Sequence, residues 1–101
     1  MSNDEPSHSA LVQAASRMVT IRNQRGLHAR AAAKFVKLAG QFVAEVTVVK
    51  GDMVVTGTSI MGLMMLAAAP GTELELRASG PQGEPALAAL AELVERRFDE
   101  N

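Results

Sequence analysis

The 101-residue chain is 48% hydrophobic, has a formal net charge of −1 and contains no cysteine. That length suits one domain, and the missing thiols exclude disulfides and thiolate metal sites, so no metal centre is expected. With no basic excess and 3% aromatics there is no footprint for nucleic acid, and no apolar run approaches the ~20 residues that cross a bilayer.

Residues 1–16 read as a flexible N-terminal arm ahead of a domain over 17–101. The first nine are polar with one proline and have nothing to pack. Ala10 to Ala15 has the composition of a single helical turn, too short to stand alone. His8, in the arm, has no second ligand or base beside it and is expected to be solvated. No charged region, apolar stretch and cleavage site mark a signal peptide, so a cytoplasmic location is expected.

Met18 to Arg22 alternates as a first strand, with Val19 and Ile21 inward. A helix follows over Ala29 to Ala39: Ala32, Phe35, Val36 and Ala39 share one face, Lys34 and Lys37 lie off it, and Gly40 stops it. Ala44 to Lys50 is a second strand, Gly51-Asp52 a two-residue hairpin turn of type II′ or I′, and Met53 to Thr56 the partner strand. Ser59 caps a short helix, about Ile60 to Leu66, in which the spacing assigns Met61 and Met65 to the core. Thr72 to Ala78 alternates most clearly, with Leu74 and Leu76 inward and Glu73, Glu75 and Arg77 toward water. One sheet face is therefore solvated. Pro85 suits the first turn of a last helix, whose stripe is Leu87, Leu90, Ala91, Val94 and Phe98. Arg96 and Arg97 fall in its last turn.

The order is βαββαβα. Placing the last strand between the first two makes every neighbour antiparallel. The expected fold is thus α+β, an open-faced β-sandwich: a four-stranded antiparallel sheet of order 1-4-2-3 with three helices on one face.

The candidate site is Gly26-Leu27-His28-Ala29-Arg30. His28 falls at the cap of the first long helix, a position that favours Ser, Thr, Asp and Asn, so a histidine there asks for a reason. The backbone N–H groups of Ala29 and Arg30 are free to bind phosphate oxygens, and the Arg30 guanidinium adds a charge-assisted contact. A neutral imidazole is a nucleophile, and the phosphoramidate it forms suits transfer rather than storage. Two rivals are a ferredoxin-like ligand- or RNA-binding regulatory domain with His28 as a structural helix cap, and a hydrolase of similar topology. The absence of aromatic strand residues weighs against RNA, and the absence of a base beside His28 within the motif weighs against hydrolysis.

Gly26 to Arg30, followed by Ala31-Ala32-Ala33-Lys34-Phe35-Val36, resembles the active-site segment of HPr, the histidine phosphocarrier of the phosphoenolpyruvate-dependent phosphotransferase system. Ser59 to Leu66 resembles that family's regulatory-serine helix, and the likeness runs from about Met18 to Phe98. It implies that His28 is phosphorylated on Nδ1 by enzyme I and donates to an enzyme IIA domain, with Arg30 contacting the group. It also implies that Ser59 is the target of HPr kinase/phosphorylase. Ile60 and Met64 would form an apolar docking patch, with Lys34 and Lys37 as its basic rim. The carrier would be a monomeric relay for sugar uptake or regulation, not a stand-alone enzyme, with no cofactor and no membrane insertion. The family usually has proline where this chain has Ala31, and often lysine where it has Thr58.

Overall fold

The computed structural model describes residues 14–100. The expectations for His8 and for most of the arm therefore lie outside the described residues. The elements are β1 (Ala15–Thr20), α1 (Ala29–Ala39), β2 (Glu45–Lys50), β3 (Met53–Thr56), α2 (Ile60–Met65), β4 (Glu73–Ser79) and α3 (Gly83–Glu95). The strands form one sheet in the order β1-β4-β2-β3, each neighbour antiparallel.

Alternation along the strands produces the two faces. Val19 sits opposite Leu74, Leu76 opposite Val48, and Val48 opposite Val55, giving adjacent apolar rows under the helices. On the outer face Arg77 donates to Glu75 at 3.1 Å. On the covered side α3 packs against β1, β4 and β2, and α1 packs against both α2 and α3. Phe35 of α1 and Leu87, Leu90 and Val94 of α3 are buried there. Each buried side chain of this size contributes roughly 1.5–3 kcal/mol.

Three expectations need correction. The first strand begins at Ala15 and ends at Thr20, not at Met18 and Arg22, so Ala15 and Ser16 belong to the sheet. Its extent is set by the partner: pairing runs from Ala15 opposite Ala78 to Thr20 opposite Glu73, the reach of β4.

The core residues of this segment are Leu63 of α2 and Leu66 at its C-cap, not Met61 and Met65, which are 71% and 65% exposed. The i, i+4 rule identifies neighbours on a helix, but it does not say which of several apolar faces turns inward. Here the branched leucines do.

The last helix ends at Glu95, so Phe98 does not extend its stripe, and Arg96 and Arg97 are not in its last turn. Arg97, Phe98 and Asp99 instead form a left-handed turn, with φ of 61°, 55° and 60°. Such residues cost about 1–2 kcal/mol each. Burial of the Phe98 ring offsets part of that cost, as does a pair of bonds from the Arg96 guanidinium to the Asp99 carboxylate, at 3.0 and 3.4 Å. The Arg96 hydrogen bond also holds the Asp99 carboxyl below the usual carboxylate range. The turn reverses the chain and sends Glu100 toward the start of α1.

Candidate functional site

The loop before α1 has little freedom. Gly26 has φ of +67°, and a Cβ there would lie 2.4 Å from the Ala68 carbonyl oxygen, so any side chain meets both strain and a clash. The close approach lets the Leu27 N–H donate to that same oxygen at 2.9 Å. This fastens the chain just before the helix to the segment that follows α2. The tight turn closes with the His28 N–H donating to the Gly26 carbonyl at 2.9 Å.

His28 stands at the N-cap of α1 in extended backbone, φ −80° and ψ −179°. The first helical bond runs from the Ala32 N–H to the His28 carbonyl at 2.8 Å. The N–H groups of Ala29, Arg30 and Ala31 come before it, and they make up the positive end of the helix. The ring turns back over them: the Arg30 N–H donates to Nδ1 at 3.3 Å. The capping role weighed as a rival is therefore present, though the bond is longer than the usual 2.7–3.2 Å.

An acceptor carries a lone pair, so Nδ1 is the unprotonated nitrogen and Nε2 carries the hydrogen. Nε2 lies 2.7 Å from Oε2 of Glu100, and the two side chains are 15% and 18% exposed. The other carboxylate oxygen accepts from Asn23 Nδ2 at 3.0 Å. Asn23 is fully buried and spends its second N–H on the Gly26 carbonyl at 2.7 Å. Its amide orientation is forced, because both neighbours are acceptors. Burial alone would push the Glu100 carboxyl up. The hydrogen bonds from Asn23 and His28, with the nearby positive charge of Lys34, outweigh it and hold the group below its ordinary range.

The Arg30 side chain is exposed and makes no ion pair among the described residues. With Gln24, Arg25, Lys34, Asp99 and Glu100 it lines a depression of about 350 Å³. Of the two expected rim lysines, Lys37 is exposed. Lys34 is partly buried and donates to the Phe98 carbonyl at 2.7 Å, so it ties α1 to the left-handed turn. Ala31 is fully buried. Ser59 caps α2, its Oγ accepting from the Gly62 N–H at 2.9 Å. Ile60 and Met64 are each 41% exposed and, with Met61 and Met65, make an apolar patch of four side chains. Because Ala68 is joined to Gly26 and Leu27, the patch and the histidine share one end of the molecule.

Two residues of the site carry no sequence signal of their own: Glu100, which bonds His28, and Asn23, which bonds Glu100. Glu100 lies 72 positions away and reaches the ring only through a turn that no periodicity announces. Asn23 looks like an ordinary loop residue. A charge signal was available: between Glu5 and Glu45 there is no acidic residue, but Arg17, Arg22, Arg25, Arg30, Lys34 and Lys37 all fall there. A carboxylate from elsewhere in the chain would be drawn to such a stretch.

The family model described as the PTS HPr component phosphorylation site matches residues 15–96. A phosphocarrier protein HPr of Pseudomonas aeruginosa is 53% identical over 83 residues, covering 81% of this chain and 92% of that protein. A phosphocarrier protein NPr of Shewanella violacea is 44% identical over 84 residues, covering 83% and 92%. Among solved structures, an HPr of Thermoanaerobacter tengcongensis superposes with a TM-score of 0.82 at 39% identity, over 86% of this chain and 98% of that one.

Proposed function

The chain belongs to the HPr family of phosphotransferase-system phosphocarriers, and from that premise we propose that His28 is the residue that carries the phosphoryl group. It receives the group from phospho-enzyme I and delivers it to an enzyme IIA domain in the cytoplasm, as a monomer serving sugar uptake or regulation. The observation that carries this reading is the Arg30 N–H donating to Nδ1. It leaves the nucleophilic lone pair directed at the helix N-terminus, where the phosphoryl oxygens find the N–H groups of Ala29 and Arg30.

The attacking Nδ1 forms the N–P bond as the donor's bond to phosphorus breaks. The oxygens gain hydrogen bonds from the backbone and from the exposed Arg30 guanidinium. Delivery is the reverse, with the electron pair returning to Nδ1. The proposed docking surface is the patch of Ile60, Met61, Met64 and Met65. Methionine adapts to partners of different shape, and Lys37 with the arginines around His28 steers acidic partners. For Ser59 the bond to Gly62 supports a capping role, and modification by HPr kinase/phosphorylase is a second use of the same hydroxyl.

Incubation with enzyme I and labelled phosphoenolpyruvate tests the relay. Acid-labile, base-stable label is expected on the wild type and not on His28→Ala. A folded wild type that takes no label from its cognate enzyme I would overturn the reading.

A further inference from the structure

We propose that Glu100, held by Asn23, is a positioning residue for phosphoryl transfer: it fixes the His28 tautomer through Nε2 and stabilises the cationic ring. The inference rests on His28 being the carrier. The imidazole is gripped at both nitrogens, by a backbone N–H at Nδ1 (3.3 Å) and by a carboxylate at Nε2 (2.7 Å). Of the two, the carboxylate contact is the shorter and the charged one, so it dominates the choice of tautomer. In that tautomer Nδ1 keeps its lone pair, which only the long Arg30 N–H bond engages before reaction.

Attack by Nδ1 moves positive charge onto the ring, because Nε2 keeps its hydrogen while Nδ1 bonds to phosphorus. Glu100 is the anion facing that charge. On delivery the N–P bond breaks and neutral imidazole leaves, again because Nε2 is protonated. Without the carboxylate the ring is free to adopt the other tautomer, in which Nδ1 carries the hydrogen and has no lone pair to offer.

Asn23 supports this assignment independently. Its Oδ1 is buried with no hydrogen-bond partner among the described residues, an arrangement that costs stability. A core amide that leaves its acceptor unpaired is there for its donors, and both donors serve the site: one the turn at Gly26, the other Glu100. The left-handed turn at Arg97 to Asp99 is a second such feature, since its strain delivers Glu100 to the ring.

The full chain is compared with Glu100→Ala and Glu100→Gln in two measurements. One is the imidazole 15N NMR signature of His28, and the other is the steady-state rate of phosphorylation by phospho-enzyme I. Wild type is expected to show Nε2 protonated and Nδ1 free. Glu100→Ala is expected to show mixed tautomers and kcat lower by about tenfold, the loss of one charge-assisted hydrogen bond, with KM unchanged because the docking patch is intact. Glu100→Gln, whose single amide oxygen can accept from Nε2 only by facing its NH2 to the Asn23 donor, is expected to recover part of the tautomer bias and part of the rate. Unchanged tautomers and an unchanged rate in Glu100→Ala, with label still on His28, would overturn the proposal and leave the carrier reading standing. Failure of the carrier reading shows separately, as absence of label from His28 in the wild type.

Discussion

The helices α1 and α2 begin in the same way and are capped for different ends. Ser59 accepts from the Gly62 N–H at 2.9 Å, with a side chain that suits the position. His28 accepts from the Arg30 N–H at 3.3 Å, with a side chain that does not, and its ring is held mainly from the far side by Glu100. A well-made cap satisfies an N–H group and stops there. A loosely made one leaves the N–H groups and a nitrogen lone pair side by side and available. The difference teaches that a weak cap held by an unrelated part of the chain sets the proposed carrier end apart from an ordinary helix start.

Exchanging the caps breaks the comparison most severely. His28→Ser installs the better capping residue. It is expected to abolish phosphoryl labelling while folding stability stays within about 1 kcal/mol of wild type in urea unfolding. Gly26→Ala attacks the turn that presents the histidine. The left-handed φ and the 2.4 Å approach to the Ala68 oxygen predict a loss of about 2–3 kcal/mol in the same measurement. Next comes the patch beside the site: Met64→Glu is expected to weaken the enzyme I complex about tenfold by calorimetry, roughly 1.4 kcal/mol, with unchanged circular dichroism.

Ser59→Ala removes the other cap, with about 1 kcal/mol of stability lost and the rate of phosphoryl transfer retained. The smallest effect is the pH response of the Glu100 contact. Its carboxyl is depressed in the folded state, so the stability it adds is complete above the ordinary glutamate range and is lost as pH falls through the lower folded value. The stability difference between wild type and Glu100→Gln should therefore shrink in acid and not in base. A carboxyl resonance of Glu100 that titrates at or above the usual glutamate position would contradict this.

Much of the molecule was legible from local signals. The strand alternation, the Ser59 cap, the Gly51-Asp52 hairpin and the α1 stripe each depend on residues within one or two turns of one another. His28 and Arg30 stood out because a histidine in a capping position is uncommon. Where two apolar faces competed, on α2, local spacing chose Met61 and Met65, and packing against the rest of the core chose Leu63 and Leu66. Where a pattern was extended one turn too far, at Phe98, the apolar position was right and the helix was not, because a left-handed turn also buries the ring.

The sequence by itself determined the elements and singled out His28 as the candidate nucleophile, because periodicity and capping are short-range properties of the chain. Tertiary structure alone decided what holds that histidine. The Asn23–Glu100–His28 contacts join residues up to 77 positions apart. They exist only once the core has drawn Phe98 inward and Lys34 has bound its carbonyl. No local pattern encodes such a meeting, since its geometry is set by the packing of the whole sheet and its helices.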